Sequence, residues 1–174
     1  MRVSILLWLV VEGSDDERFI ERIIKPLLAN HSIQTYRWAQ KSRQQRTQFI
    51  QNIQKLDCAY FVLADKDTRP CIRDCKAFVQ QQFGGVVPAE RIIVVDGAIE
   101  AWYLAGFTGS PYLRGIQPPA RTDGITKQMF LQQYVPAGKL PSSVLEEMLA
   151  NYDLALARQH NHSLDYFCRR LGIP

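Results

Sequence analysis

Apolar and polar positions along the first hundred residues are arranged in blocks that predict alternating strands and helices. Four short runs that are rich in β-branched or aromatic residues predict buried strands: Val3–Val11, Ile33–Trp38, Cys58–Ala64 and Arg91–Val95. Between these runs, apolar residues recur every three or four positions, which predicts helices over 15–29, 42–56 and 73–83, and another helix follows within 96–105. This order predicts an α/β fold in which helices cover both faces of a parallel sheet.

Beyond Gly106 the pattern changes to a stretch rich in glycine and proline, followed by short helical segments. We expect helices over 126–134, 142–151 and 163–171. The chain has 174 residues, which is enough for one well-buried core and too few for two ordinary domains. We therefore expect an α/β core over residues 1–106 and a loop-rich, helical extension over 107–174 that packs on it within a single domain.

Charge and cysteine usage narrow the class of protein. The net charge is only +4, but the segment from His31 to Leu56 contains basic residues and no Asp or Glu. Such a segment suits a polyanionic ligand, although a solvated helix face would give the same pattern. The four cysteines have no zinc-binding spacing, and the apolar start of the chain is too short to span a bilayer. These features predict a cytoplasmic protein with reduced thiols and no membrane partner.

Acidic clusters follow the first and third apolar runs directly. Glu12 and Asp16 come after the first run, and Asp65 and Asp67 come after the third. Open α/β sheets bind ligands at the carboxyl ends of their strands, and carboxylates gathered there repel one another unless a cation lies between them. Hard oxygen ligands suit Mg²⁺ or Mn²⁺. If the third strand continues beyond Asp65, the two aspartates share a face and both reach one metal ion.

Each acidic residue also has a structural explanation. Asp15, Asp16 and Glu17 fall in the first turn of a predicted helix, where the helix dipole favours negative charge. We prefer that explanation for Asp15 and Glu17 and leave both roles open for Asp16. Asp65 and Asp67 are also compatible with a simple turn after a strand, but their combination with an acidic residue after the first strand favours a metal site.

The segment Asp65-Lys66-Asp67-Thr68 additionally fits the DxDxT motif of HAD phosphatases. In that case Asp65 would form a phosphoaspartate and Asp67 would act as acid and base. The motif normally follows the first strand, whereas here about sixty residues precede it, and a later Gly-Asp-x-x-x-Asp pair is missing. A phosphatase is therefore the weaker enzymatic alternative.

The order of these motifs resembles the TOPRIM domain of topoisomerases, primases, small ribonucleases and OLD-family nucleases. The resemblance covers roughly residues 3–105 and rests on a strand followed by Glu12-Gly13 and Asp16, and a later strand ending in Asp65-Lys66-Asp67. Ile99–Ala105 and the segment from Ala157 to Phe167 resemble a small stand-alone prokaryotic branch related to the OLD nucleases. The implied fold is a Rossmann-like, TOPRIM-like parallel sheet.

By this resemblance, Glu12 and Asp16 would help to hold one metal ion, and Asp65 and Asp67 would hold the other. Glu12 would also serve as the general acid or base for the proton at the scissile oxygen. Gly13 would allow the tight turn from strand to helix. The metal would be Mg²⁺ or Mn²⁺, as the carboxylate ligands also indicate, and the sequence leaves open whether one or two ions bind.

Further residues are expected at the rim of the site. Glu100, at the start of another helix, would be an additional metal ligand or would support one. Lys127 is a candidate phosphate contact, since some OLD-type sites use a lysine in this way, with an ordinary surface lysine as the alternative. Four basic residues of the segment described above are expected to contact the nucleic-acid backbone: Arg37, Lys41, Arg43 and Arg46.

Together these features predict a metal-dependent nuclease, a phosphodiesterase acting on DNA or RNA, with Glu12, Asp65 and Asp67 as catalytic residues. The alternative is a TOPRIM-like effector or nucleic-acid-binding subunit that is active only with a partner such as an ATPase. The resemblance associates that arrangement with mobile-element and phage-defence systems. The sequence leaves open whether the protein forms a homodimer and whether DNA or RNA is the substrate.

Overall fold

The computed structural model describes residues 5–28 and 30–174 and has an α/β fold built on a four-stranded parallel sheet. The strand order is β2-β1-β3-β4. In the register of the sheet, Leu7 of β1 lies opposite Ile33 of β2, and Leu9 of β1 lies opposite Phe61 of β3. The strands are β1 (Ile5–Val11), β2 (His31–Arg37), β3 (Ala59–Asp65) and β4 (Ile92–Val95).

The helix between β1 and β2 changes its winding along its length. It begins as α1 (Ser14–Phe19), continues as a π-helical segment (Ile20–Ile24) and ends as a 3-10 turn (Lys25–Leu27). Pro26 lies in that last turn, where its missing N–H and fixed φ prevent a regular α-helix from continuing. The predicted end of the helix at Ala29, like the predicted strand residue Val3, lies outside the described residues.

Helices cover both faces of the sheet, as the alternating pattern predicted. The connections from β1 to β2 and from β2 to β3 step across the sheet in opposite directions, so right-handed crossovers place their helices on opposite faces. The face of β1 that contains Val10 packs in one cluster with residues of α2 (Arg43–Lys55) and α3 (Ile72–Gln82). On the other face, Leu9 and Val11 are fully buried.

The described residues fall into two units, each with its own internal packing. The first comprises the described residues up to Asp65 together with Arg69–Val94, and the second comprises Lys66–Thr68 and Val95–Pro174. The boundary between these two units lies after Val94, whereas the sequence predicts a division after residue 106. The division after residue 106 stays a prediction. Helices of the second unit are α4 (Ile99–Ala105), α5 (Lys127–Gln133), α6 (Pro141–Ala150), α7 (Leu154–His160) and α8 (His162–Arg170).

Within the second unit, a buried polar cluster fixes the start of α8 relative to α4. The hydroxyl of Ser163 accepts hydrogen bonds from Trp102 Nε1 at 2.8 Å and from the backbone N–H of Asp96 at 3.1 Å, and it donates to Asn161 Oδ1 at 2.8 Å. Every residue of α4 is buried. Because buried polar groups are costly unless paired, this cluster determines a specific arrangement of the residues that follow β4.

Candidate active site

Glu12 and Asp65 meet at the carboxyl ends of two neighbouring strands in the first unit. Glu12 follows β1 directly, and Asp65 is the last residue of β3. The backbone N–H of Asp65 donates a hydrogen bond of 3.2 Å to Glu12 Oε1. The parallel pairing of β1 with β3 therefore brings together two of the acidic residues predicted from sequence.

Asp16 folds back over the turn between β1 and α1. It is only 4% exposed, and its Oδ2 accepts a hydrogen bond of 3.1 Å from the backbone N–H of Gly13. The expected need for glycine at this turn is wrong, because Gly13 has an extended backbone with φ −145°. A Cβ there would lie 3.8 Å from Asp16 Oδ2, an ordinary van der Waals contact.

The other two acidic residues of this turn each form an ion pair with an arginine. Asp15 Oδ1 lies 2.9 Å from Arg18 Nη1, one helical turn away. Glu17 accepts a hydrogen bond of 2.6 Å from the hydroxyl of Thr35 and lies 3.4 Å from Nε of Arg37. These three contacts fit the structural roles that the sequence favoured for Asp15 and Glu17.

Arg69 lies beside the end of β3 and was not predicted. Its Nη1 donates to the backbone carbonyl of Asp65 at 3.4 Å, and its guanidinium lies 3.9 Å from the centre of the Phe78 ring on α3. The thiol of Cys75 donates to the same carbonyl at 3.6 Å. The available signal was an arginine four residues after a candidate catalytic aspartate, but sequence alone gives no reason to pair it with a ring nine residues later.

The chain does not continue as a strand beyond Asp65. Lys66 and Asp67 belong to the second unit, where their backbone N–H groups donate to Val95 O at 2.9 Å and Gly97 O at 2.8 Å. Asp67 has φ +49°, in the left-handed region, which no regular strand contains. The expectation that Asp65 and Asp67 share one face of a continuing strand is therefore wrong. The role of Asp67 as a ligand stays a prediction.

In the second unit, Lys66 and Lys127 each form an ion pair with a carboxylate at or after the end of β4. Lys66 Nζ is 2.6 Å from Oδ1 of Asp96, a residue that directly follows β4 and that sequence reasoning did not select. Lys127 Nζ is 3.3 Å from Oε1 of Glu100. Glu100 is 2% exposed, so its carboxylate is buried rather than at an open rim. The structure thus pairs two residues that the sequence had assigned separately, to a metal ion and to phosphate.

Three of the four basic residues predicted to contact nucleic acid lie on the surface. Arg37, Lys41 and Arg43 are exposed. Arg46 is only 9% exposed, and its guanidinium donates to backbone carbonyls that follow β2. Burial raises the pKa of Tyr36, and the positive charge of Arg46 partly offsets this increase. The hydrogen bonds of Arg46 to the backbone carbonyls favour a structural role for this residue over the predicted phosphate contact.

No protein-family model, curated protein or solved structure matches this chain. The resemblance to TOPRIM domains therefore depends on the sequence motifs described above and stays a prediction. Among residues 5–28 and 30–174, no helix combines the length and the apolar character needed to cross a bilayer.

Glu12 and Asp65 are the candidate ligands for a divalent cation at this edge of the sheet. Within the part of the chain that the structure describes, no three His, Cys, Asp or Glu side chains are grouped closely enough to hold a metal ion. Mg²⁺ is usually bound through one or two carboxylates, with water and substrate phosphate completing its octahedral shell. The pair Glu12 and Asp65 fits that mode of binding.

Proposed function

We propose that this protein is a metal-dependent phosphodiesterase that cleaves nucleic acid, with Glu12 and Asp65 at the centre of its site. The observation that supports this proposal most strongly is the 3.2 Å hydrogen bond from the Asp65 backbone to Glu12 Oε1. It holds the two acidic residues next to each other at the carboxyl ends of adjacent parallel strands, where α/β folds generally bind their ligands.

The residue types fit this chemistry. A bound Mg²⁺ or Mn²⁺ would neutralise phosphate oxygens and lower the pKa of a water molecule. Glu12 would hold the ion or exchange the proton at the scissile oxygen, and Asp65 would act as a ligand. The TOPRIM resemblance adds Asp16 and Asp67 as further ligands. Asp16 is suited to such a role because its carboxylate is buried at the turn that follows Glu12.

The position of the basic segment supports a polyanionic substrate. The backbone N–H of Ala39 donates to the carbonyl oxygen of Glu12 at 3.3 Å, so the chain leaves β2 beside the acidic pair. Lys41 and Arg43 follow within four residues and are both exposed. Backbone phosphates bound there would make affinity fall steeply with salt, whether the substrate is DNA or RNA.

A cleavage assay with matched variants tests this proposal. Plasmid DNA, single-stranded DNA and RNA are incubated with the protein in Mg²⁺ or Mn²⁺, and the variants Glu12→Gln and Asp65→Asn are compared with wild type. In Glu12→Gln, the amide side chain keeps an oxygen that accepts the hydrogen bond from Asp65, so the fold is preserved while the charge is removed. Each variant should lose activity by roughly 10²-fold or more.

The controls remove a carboxylate elsewhere in the first unit. Glu21→Gln removes an exposed ion pair with Lys25, and Asp57→Asn changes an exposed residue just before the start of β3, at the opposite end of the strand from Asp65. Both should cleave like wild type. Activity that survives in both Glu12→Gln and Asp65→Asn contradicts the proposed site.

Two other outcomes separate the alternatives predicted from sequence. If wild type binds nucleic acid but cuts none of the three substrates, the protein is better explained as a subunit that needs a partner. If it instead hydrolyses a small phosphomonoester and Asp65→Asn abolishes that reaction, the phosphatase alternative replaces the nuclease.

A further inference from the structure

Contacts of different kinds position Arg69 next to the end of β3. Its guanidinium lies against the face of the Phe78 ring at 3.9 Å, and Nη1 donates to the carbonyl oxygen of Asp65 at 3.4 Å. A cation over an aromatic face is attracted by the ring quadrupole, and a planar group that stacks in this way loses rotational freedom before any ligand arrives. The guanidinium is therefore preorganised beside Asp65.

The positive charge of Arg69 lies next to the candidate carboxylates, where it would favour the binding of an anionic substrate. Glu12 directly follows β1 and Asp65 ends β3, and the two carboxylates repel the phosphodiester group on which the proposed reaction depends. A cation held by the protein next to these carboxylates would oppose that repulsion together with the metal ion. A guanidinium matches the geometry of phosphate oxygens with two parallel N–H donors.

A second arginine in the same unit provides an internal comparison. Arg91 lies over the rings of Tyr60 and Phe61, at 5.5 Å and 5.8 Å, and its Nη1 donates to the carbonyl oxygen of Tyr60 at 3.5 Å. This arrangement repeats the contacts of Arg69 at the other end of β3. Tyr60 and Asp65 are five residues apart on the strand, which corresponds to about 17 Å. Arg91 therefore makes the same kinds of contact as Arg69, but at a place far from the candidate carboxylates.

We propose that Arg69 binds the phosphodiester group of the substrate next to Asp65. This inference depends on the proposed function, because the phosphodiester is the ligand of that same site. The pairing of Arg69 with Phe78 and with the end of β3 fixes the guanidinium, and the fixed guanidinium would then contact non-bridging phosphate oxygens.

The test measures binding separately from cleavage. Fluorescence anisotropy of labelled duplex DNA, single-stranded DNA and RNA is recorded with Ca²⁺ in place of Mg²⁺, over salt concentrations from about 50 to 200 mM. The variants are Arg69→Gln and Arg69→Lys, with Arg91→Gln and Arg91→Lys as matched controls. Thermal unfolding of each variant is followed in parallel.

Arg69→Gln should weaken binding roughly tenfold and reduce the slope of log affinity against log salt by about one, as expected when one phosphate contact is lost. Arg69→Lys should keep the wild-type slope, because its charge remains, but should bind more weakly because the planar fork is lost. Both Arg91 variants should bind like wild type, even if their unfolding temperature falls. The Lys pair gives the same comparison if the Gln variants do not fold.

Two results would overturn the inference. Wild-type affinity and salt slope in Arg69→Gln would exclude a phosphate contact, and an equal loss in Arg91→Gln would reveal only general surface charge. If wild type binds nucleic acid without cutting it and Arg69→Gln weakens binding, Arg69 keeps its role while the nuclease proposal fails. If Glu12→Gln abolishes cleavage and Arg69→Gln changes neither binding nor cleavage, the nuclease proposal stands and the role of Arg69 fails.

Discussion

Replacing Arg46 by methionine separates a structural arginine from one that contacts nucleic acid. Arg46 donates from Nε to Trp38 O at 2.9 Å, from Nη2 to Ala39 O at 3.1 Å and from Nη1 to Gln82 Oε1 at 2.5 Å. Its guanidinium also lies 5.0 Å from the centre of the Trp38 ring. Methionine keeps the apolar stem in place and removes all of these polar contacts.

The expected loss follows from the burial of each acceptor. The bond to Trp38 O is buried, so its removal leaves a desolvated carbonyl and costs about 1–3 kcal/mol. The bonds to Ala39 and Gln82 are only partly buried, and water can replace them, so each contributes about 0.5–1 kcal/mol. The free energy of unfolding of Arg46→Met should therefore fall by about 3 kcal/mol. For a chain of this size that corresponds to a decrease in Tm of roughly 10 °C.

Urea unfolding followed by tryptophan fluorescence measures this change, and the nucleic-acid affinity of the folded variant is measured beside it. The midpoint should fall with little change in the m-value. Arg43→Met is the matched control, because Arg43 is exposed at the start of the same helix; it should alter the free energy of unfolding by less than about 0.5 kcal/mol. The reasoning is refuted if Arg46→Met unfolds like wild type while losing nucleic-acid affinity.

Two other perturbations test the second unit. In Gly97→Ala, the new Cβ would lie 2.2 Å from Ile125 O at φ +99°, so thermal unfolding should show a loss of more than about 3 kcal/mol. Gly124→Ala, at φ +81° with open space around it, should lose only about 1–2 kcal/mol; equal effects would contradict the clash. Burial raises the pKa of the Cys168 thiol to about 11 from an ordinary 9.0. The unfolded chain therefore loses this proton first, and the free energy of unfolding should fall as pH rises from about 9 to 11, with a smaller decrease in Cys168→Ala.

Much of the first unit could be predicted from sequence because each strand or helix has a clear pattern of apolar residues. Ile5–Val11 and the run 59–64 contain only apolar residues, which is typical of strands buried on both faces, and both runs lie in strands. Helix α7 was not predicted. It has only seven residues and is joined to α8 by the single residue Asn161, so neither its length nor a loop distinguishes it from its neighbour.

The candidate site was only partly predictable for a different reason. Glu12 and Asp65 lie next to each other because β1 and β3 are neighbours in the sheet. The sequence indicates this proximity, since it places an acidic residue directly after each of the two apolar runs. The partners of Arg46 and Arg69 depend instead on side-chain directions after the fold has formed. A basic residue on a helix predicts positive charge at that position, but not whether the charge faces solvent or the carbonyl groups of a neighbouring loop. Arg46 was therefore assigned to the ligand and Arg69 was overlooked.

The topology explains why the acidic clusters follow the first and third strands. In the order β2-β1-β3-β4, β1 lies between β2 and β3, so the end of β1 is adjacent to both. Glu12 uses both neighbours: its backbone carbonyl accepts from Ala39 after β2, and its side chain accepts from Asp65 at the end of β3. The segment that follows β2 and the end of β3 thus both contact Glu12. Glu12 therefore joins the segment after β2 to the end of β3, and replacing its side chain removes only the contact with β3, because the contact with Ala39 is made by the backbone.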